Sequence, residues 1–117
     1  DKNVTCGEVE KKLSVMGADL LIKSLKNIEN GNIKFINQVH SEATYAKKID
    51  KNETKINWSL DASKVIAHIH GLSPNPGAWF EYENERYKVL RVNKSLTNGK
   101  SGFVLDENLT VWMMLIT

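Results

Sequence analysis

Three histidines, one cysteine and one stretch of unopposed positive charge are the residues of this 117-residue chain whose types could do chemistry. His68 and His70 stand two apart in a segment patterned as a helix, so their imidazoles fall on different faces and cannot share a metal or relay a proton. His40 lies in an irregular stretch whose nearest carboxylate is its loop neighbour Glu42. Cys6 stands at the start of a predicted helix, a place where thiols are often reactive, but no base accompanies it. The chain has no glycine-rich phosphate loop, no paired carboxylates and no metal-ligand spacing. The expectation is therefore that no catalytic, cofactor-binding or metal-binding residue lies within it.

Binding is better represented. Residues 86 to 100, "RYKVLRVNKSLTNGK", carry Arg86, Lys88, Arg91, Lys94 and Lys100 with no acid among them. Such a stretch can follow a phosphate backbone, where Lys and Arg displace condensed counterions. Lys47, Lys48, Lys51 and Lys55 would extend the same track upstream. The competing reading of both groups is an ordinary solvated lysine face. Trp79, Phe80, Tyr82 and Tyr87 could stack on bases, but in a small domain aromatic rings more often fill the core.

These residues need elements to hold them. Thr5 and Glu8 have capping-box spacing. Val9, Leu13, Met16 and Leu20 recur at helical steps, Gly17 predicts a bend or break, and Leu21, Leu25 and Ile28 resume a second helix that Gly31 stops. Residues 59 to 72 read as a short helix capped by Ser59 or Asp61, with Val65, Ile66 and Ile69 as its apolar stripe and Gly71 as its stop. Pro74 and Pro76 enforce a turn. "AWFEYENERYKVLRV" then predicts one hairpin about "ENE", and "GFVLDENLTVWMML" a second about "DEN". A helix followed by short hairpins suggests an incomplete barrel of the OB kind. The fold class expected is α+β: N-terminal helices, an extended strip over 43–58, then a helix and a partial antiparallel barrel.

Composition narrows the class without choosing the partner. Hydrophobic content of 41% and charged content of 26% are globular values. Residues 1–42 balance six Lys against six acids, so the net charge of +2 comes wholly from residues 43–117. One cysteine permits no internal disulfide, which fits a reducing, cytoplasmic setting. Neither a signal peptide nor a membrane span is expected. The exposed stripes of the N-terminal helices predict self-association.

The succession "TCGEVEKKLSVMGADLLIKSLKNIENGN", "ATYAKKIDKNETKINW" and "SKVIAHIHGLSPNPGAWFEYENERYKVLRV" resembles the second half of the methionyl-tRNA formyltransferases, from about residue 4 to about 106. The specific parts are Thr44-Tyr45-Ala46 with Lys48-Ile49, Ile56-Asn57-Trp58, and Pro74-x-Pro76-Gly77-Ala78-Trp79. Asn75, Asn57 and His70 depart from the family's usual residues, and "VWMMLIT" does not match its continuation. The resemblance implies that 1–42 is the helical end of a Rossmann-type formyltransferase domain. It makes 43–58 a linker anchored by Tyr45, Ile49, Ile56 and Trp58, and 59–117 an incomplete C-terminal OB-like barrel. It further implies that formyl transfer from 10-formyltetrahydrofolate occurs upstream, that this piece is inactive alone, and that it helps hold initiator methionyl-tRNA. Rival readings are a piece of a sugar-nucleotide formyltransferase or a free-standing, non-catalytic RNA-binding module.

Overall fold

Thr5 starts the first helix as its sequence promised. The Glu8 carboxylate reaches back to accept from the Thr5 backbone N–H at 2.8 Å and from its hydroxyl at 3.1 Å. The helix so started, α1, runs Cys6–Glu29. The computed structural model describes residues 3–94, 100, 102–107 and 111.

Here the structure corrects an expectation, because α1 is one helix and not two. Gly17 sits inside it with open space around its Cα. A lone glycine costs a helix only about 1 kcal/mol, and the Leu, Lys, Met and Ala around it favour the helical state. Continuity has a consequence for the apolar surface. At roughly 100° per residue, the stripe of Val9, Leu13, Met16 and Leu20 passes into one of Leu21, Leu25 and Ile28 on an adjacent side. No residue of α1 is buried. The helix extends from the rest of the molecule, whose overall extents are 63 × 31 × 30 Å.

Gly31 follows α1 with φ +71°, the left-handed geometry that ends helices. The chain then runs largely extended, apart from 3-10 turns at His40–Glu42 and Lys51–Thr54. Of the four anchors expected in the strip, Ile56 is buried and Trp58 packs against the core. Tyr45 is 95% exposed and Ile49 is exposed, so neither is an anchor here. Thr54, not expected, is buried in their place.

The second helix, α2, spans Ala62–Leu72. Asp61 is its cap, accepting from Lys64 N at 2.9 Å. Gly71 lies inside it, so the stop comes after Leu72, at the Ser73-Pro74-Asn75-Pro76 turn, whose two X–Pro bonds are both cis. Val65, Ile69 and Leu72 point one way and meet Ile56 and Ala78, with Trp58, Phe80, Val89 and Val92 around them. Ile69 and Val65 are its largest fully buried side chains.

The sheet among the described residues is the expected hairpin, β1 (Ala78–Tyr82) antiparallel to β2 (Glu85–Val89). Glu83 and Asn84 form its two-residue turn, both with positive φ, at 50° and 62°, the backbone that matches strand twist in tight hairpins. Ala78, Phe80, Tyr87 and Val89 share the core side; Trp79, Glu81, Arg86 and Lys88 share the other. Of the second expected hairpin, Val104 pairs antiparallel with Val111, and Gly102 comes back to lie against Trp58. Residues 108–110 and 112–115 of it, and so most of "VWMMLIT", lie outside the described ones. The architecture is thus mixed α and β: among the described residues, two α-helices and a two-stranded antiparallel sheet.

Candidate nucleic-acid interface

The outer face of the hairpin gathers positive charge around one aromatic ring. Trp79 presents its ring there because strand alternation sends its neighbours Ala78 and Phe80 into the core. Arg86, one diagonal away on β2, lays its guanidinium 3.7 Å from the centroid of that ring. At this separation cation and π-face attract directly. Lys88 is the cross-strand partner of Trp79. Its aliphatic stem lies over Gly77, where φ is +85° and any Cβ would collide with it.

The strip supplies the other flank. Lys55 forms a parallel bridge with Trp79, and Ile56 N–H donates to Trp79 O at 2.7 Å. The indole N–H of Trp79 donates to Thr54 Oγ1 at 3.0 Å, and that hydroxyl donates to Lys51 O at 2.6 Å. The ring is therefore fixed by backbone and side chain together, which suits a platform. Lys55 Nζ sits 5.2 Å from the ring centroid and 3.8 Å from Glu81. Lys55, Arg86 and Lys88, which lie up to 33 positions apart in the sequence, thus share one face with Glu81 as its acid.

The other expected basic residues go elsewhere. Lys47, Lys48 and Lys51 are exposed along the strip, and Lys94 is exposed beyond β2. Lys100 Nζ lies 4.8 Å over the Phe103 ring. Arg91 does not join the Trp79 face. Its Nη2 donates to Glu8 Oε1 at 2.5 Å and its Nη1 to Asn3 O at 3.1 Å. Sequence reasoning missed Thr54 and this pairing of Arg91. The signal for Thr54 was weak, a hydroxyl two positions before an anchor, and nothing local pointed from Arg91 to Glu8.

The aromatic rings divide as the face pattern requires. Phe80 stacks on Tyr87 with centroids 5.6 Å apart and meets the edge of Trp58 at 5.8 Å. The histidines also separate. His70 is 3% exposed, with Nε2 3.2 Å from Val92 N and 3.1 Å from Val92 O, joining α2 to the segment after β2, while its Nδ1 has no hydrogen-bond partner. His68 lines a cavity of about 230 Å³ with Asn52, Asn57 and Leu60. His40 is exposed. Cys6 is a half-buried free thiol. No three His, Cys, Asp or Glu side chains converge as a metal set among the described residues. No helix among them is long and apolar enough to cross a membrane.

Electrostatics sharpen the two helix starts. Hydrogen bonds from the Thr5 N–H and then from Arg91 hold the Glu8 carboxyl below its ordinary range. Bonds from the Ser63 hydroxyl and the Lys64 N–H lower Asp61 to about 2.

Comparison with known proteins bears on the same residues. Residues 48–112 match the family described as formyl transferase, C-terminal domain. The chain is 41% identical over 112 residues to the methionyl-tRNA formyltransferase of Bradyrhizobium diazoefficiens, a match covering 92% of the chain and 36% of the relative. To that of Brucella anthropi it is 43% identical over 113 residues, 93% of the chain and 37% of the relative. It spans little more than a third of the curated relatives it matches.

Proposed function

The chain belongs to the formyltransferase C-terminal-domain family, and from that premise we propose that it is the part of a methionyl-tRNA formyltransferase that grips tRNA. The single observation carrying this reading is the Trp79 face, where Lys55, Arg86 and Lys88 surround a fixed ring with one acid among them. Phosphates attract such a face without regard to base sequence, which suits a domain that holds a tRNA body while chemistry proceeds elsewhere. On this reading residues 1–42 end the catalytic domain, 43–58 link the domains, and 59–117 form an OB-like barrel of which β1 and β2 are the first strands. The formyl donor, 10-formyltetrahydrofolate, is then held by residues of the catalytic domain, and the protein works in the cytoplasm at translation initiation. The names of the relatives favour this over a sugar-nucleotide enzyme, and their greater length favours it over a free-standing RNA module.

The test is the salt dependence of tRNA binding by the intact protein. Replacing Lys55, Arg86 and Lys88 with Gln should flatten the slope of log affinity against log salt by roughly two to three units. An unchanged slope and affinity would make the Trp79 face an ordinary solvated surface. Gln at Lys47, Lys48 and Lys51 serves as the comparison that weighs the strip.

A further inference from the structure

We propose that Arg91 is a positioning residue, a latch that sets the direction in which α1 leaves the α2–hairpin unit. The polar ties between α1 and that unit gather at the first turn. Gly7 N–H donates to Ser73 O at 2.9 Å, and Arg91 binds Glu8 Oε1 and Asn3 O through separate nitrogens. The approach is close: a Cβ on Gly7 would lie 2.5 Å from Pro74 Cδ. Thr5 is buried in the same joint. Beyond it α1 buries nothing.

Exposed ion pairs generally contribute little, because two mobile side chains must be ordered to make them. Glu8 differs from that case. Its Oε2 is already held by the Thr5 N–H and hydroxyl, so its Oε1 is presented to Arg91 in a fixed place. Arg91 in turn spans two acceptors with one planar guanidinium, a geometry Lys cannot reproduce. The latch matters because α1 is a lever. Its 24 residues extend roughly 36 Å at 1.5 Å per residue, so a tilt of about 10° at the joint displaces the far end by roughly 6 Å. Whatever is joined to α1 is aimed by this one turn. The same engagement removes Arg91 from the basic track, since its charge is already met by Glu8.

The test uses the intact protein with R91Q, E8Q, the double variant and R91K. Amide exchange at Gly7, whose N–H crosses the joint, should quicken roughly three- to tenfold in either single Gln variant. The double should go no further than the larger single effect, and R91K should fall between wild type and R91Q. R91Q should leave the salt slope of tRNA binding unchanged, whereas R86Q with K88Q lowers it. Unchanged Gly7 exchange in R91Q, additive effects in the double, or a slope lowered by about one unit in R91Q alone would overturn the assignment. The slope arm rests on the proposed function but the exchange arm does not. A protein that failed to bind tRNA would sink that reading and leave the latch to be judged at Gly7.

Discussion

Arg86 covers the face of Trp79 at 3.7 Å, while the edge of the same indole donates to Thr54 at 3.0 Å. One side chain thus joins the hairpin's outer face to the end of the strip. Trp79→Phe keeps a ring for Arg86 but deletes the N–H, and Thr54→Val deletes the acceptor. Each should cost roughly 1–3 kcal/mol, read as the shift of the urea midpoint at constant slope. The double variant should fall well short of the sum, because both remove one bond. Full additivity would mean that the two residues do not act through each other.

The hairpin turn carries a removable strain. Glu83 sits at φ 50°, where a side chain other than Gly, Asn or Asp is disfavoured by roughly 1 kcal/mol or more. Glu83→Asn should therefore stabilise the protein by about 0.5–1 kcal/mol, raising Tm by a few degrees. A fall in Tm would show that the Glu83 side chain makes a compensating contact.

Acid should loosen both helix starts. The folded-state values of Asp61 and Glu8 are depressed, so the unfolded chain binds more protons than the folded one as pH falls. Their stabilising effect is complete above the ordinary carboxylate range, near pH 4 to 5, and is lost on the way down, for Asp61 through about 2. Asp61→Asn keeps a competent cap but cannot titrate. Tm measured from pH 5 to pH 2 should fall less steeply in Asp61→Asn than in wild type, with near-equal values at pH 7. Parallel curves would assign the acid sensitivity to other groups.

The isolated 117-residue chain should self-associate, because Leu13, Leu20 and Leu25 of α1 are all more than half exposed and such surface is rarely left bare. Sedimentation velocity should show mass rising with concentration, and Gln at these three positions should return it toward a monomer. A strict monomer at every concentration would count against the expectation.

Features written in a few neighbouring residues could be read from the sequence. The Thr5 and Glu8 cap, the Asp61 cap, the hairpin about residues 83 and 84, and the core positions Val65 and Ile69 depend on spacings of two to four residues, which the backbone's own periodicities decode. Two local errors, a break at Gly17 and a stop at Gly71, came from weighing a glycine's modest cost above the propensity of the whole segment.

What tertiary structure alone decided are pairings across long separations. Trp79 finds Thr54 25 positions away, and Arg91 finds Glu8 83 positions away. The sequence showed five cations between residues 86 and 100 as one track. Strand alternation and the end of β2 sent Arg86 and Lys88 to Trp79, and the docking of α1 gave Arg91 to Glu8. A charge in a sequence carries its sign but not its neighbours, and its counter-charge comes near only once the chain has folded.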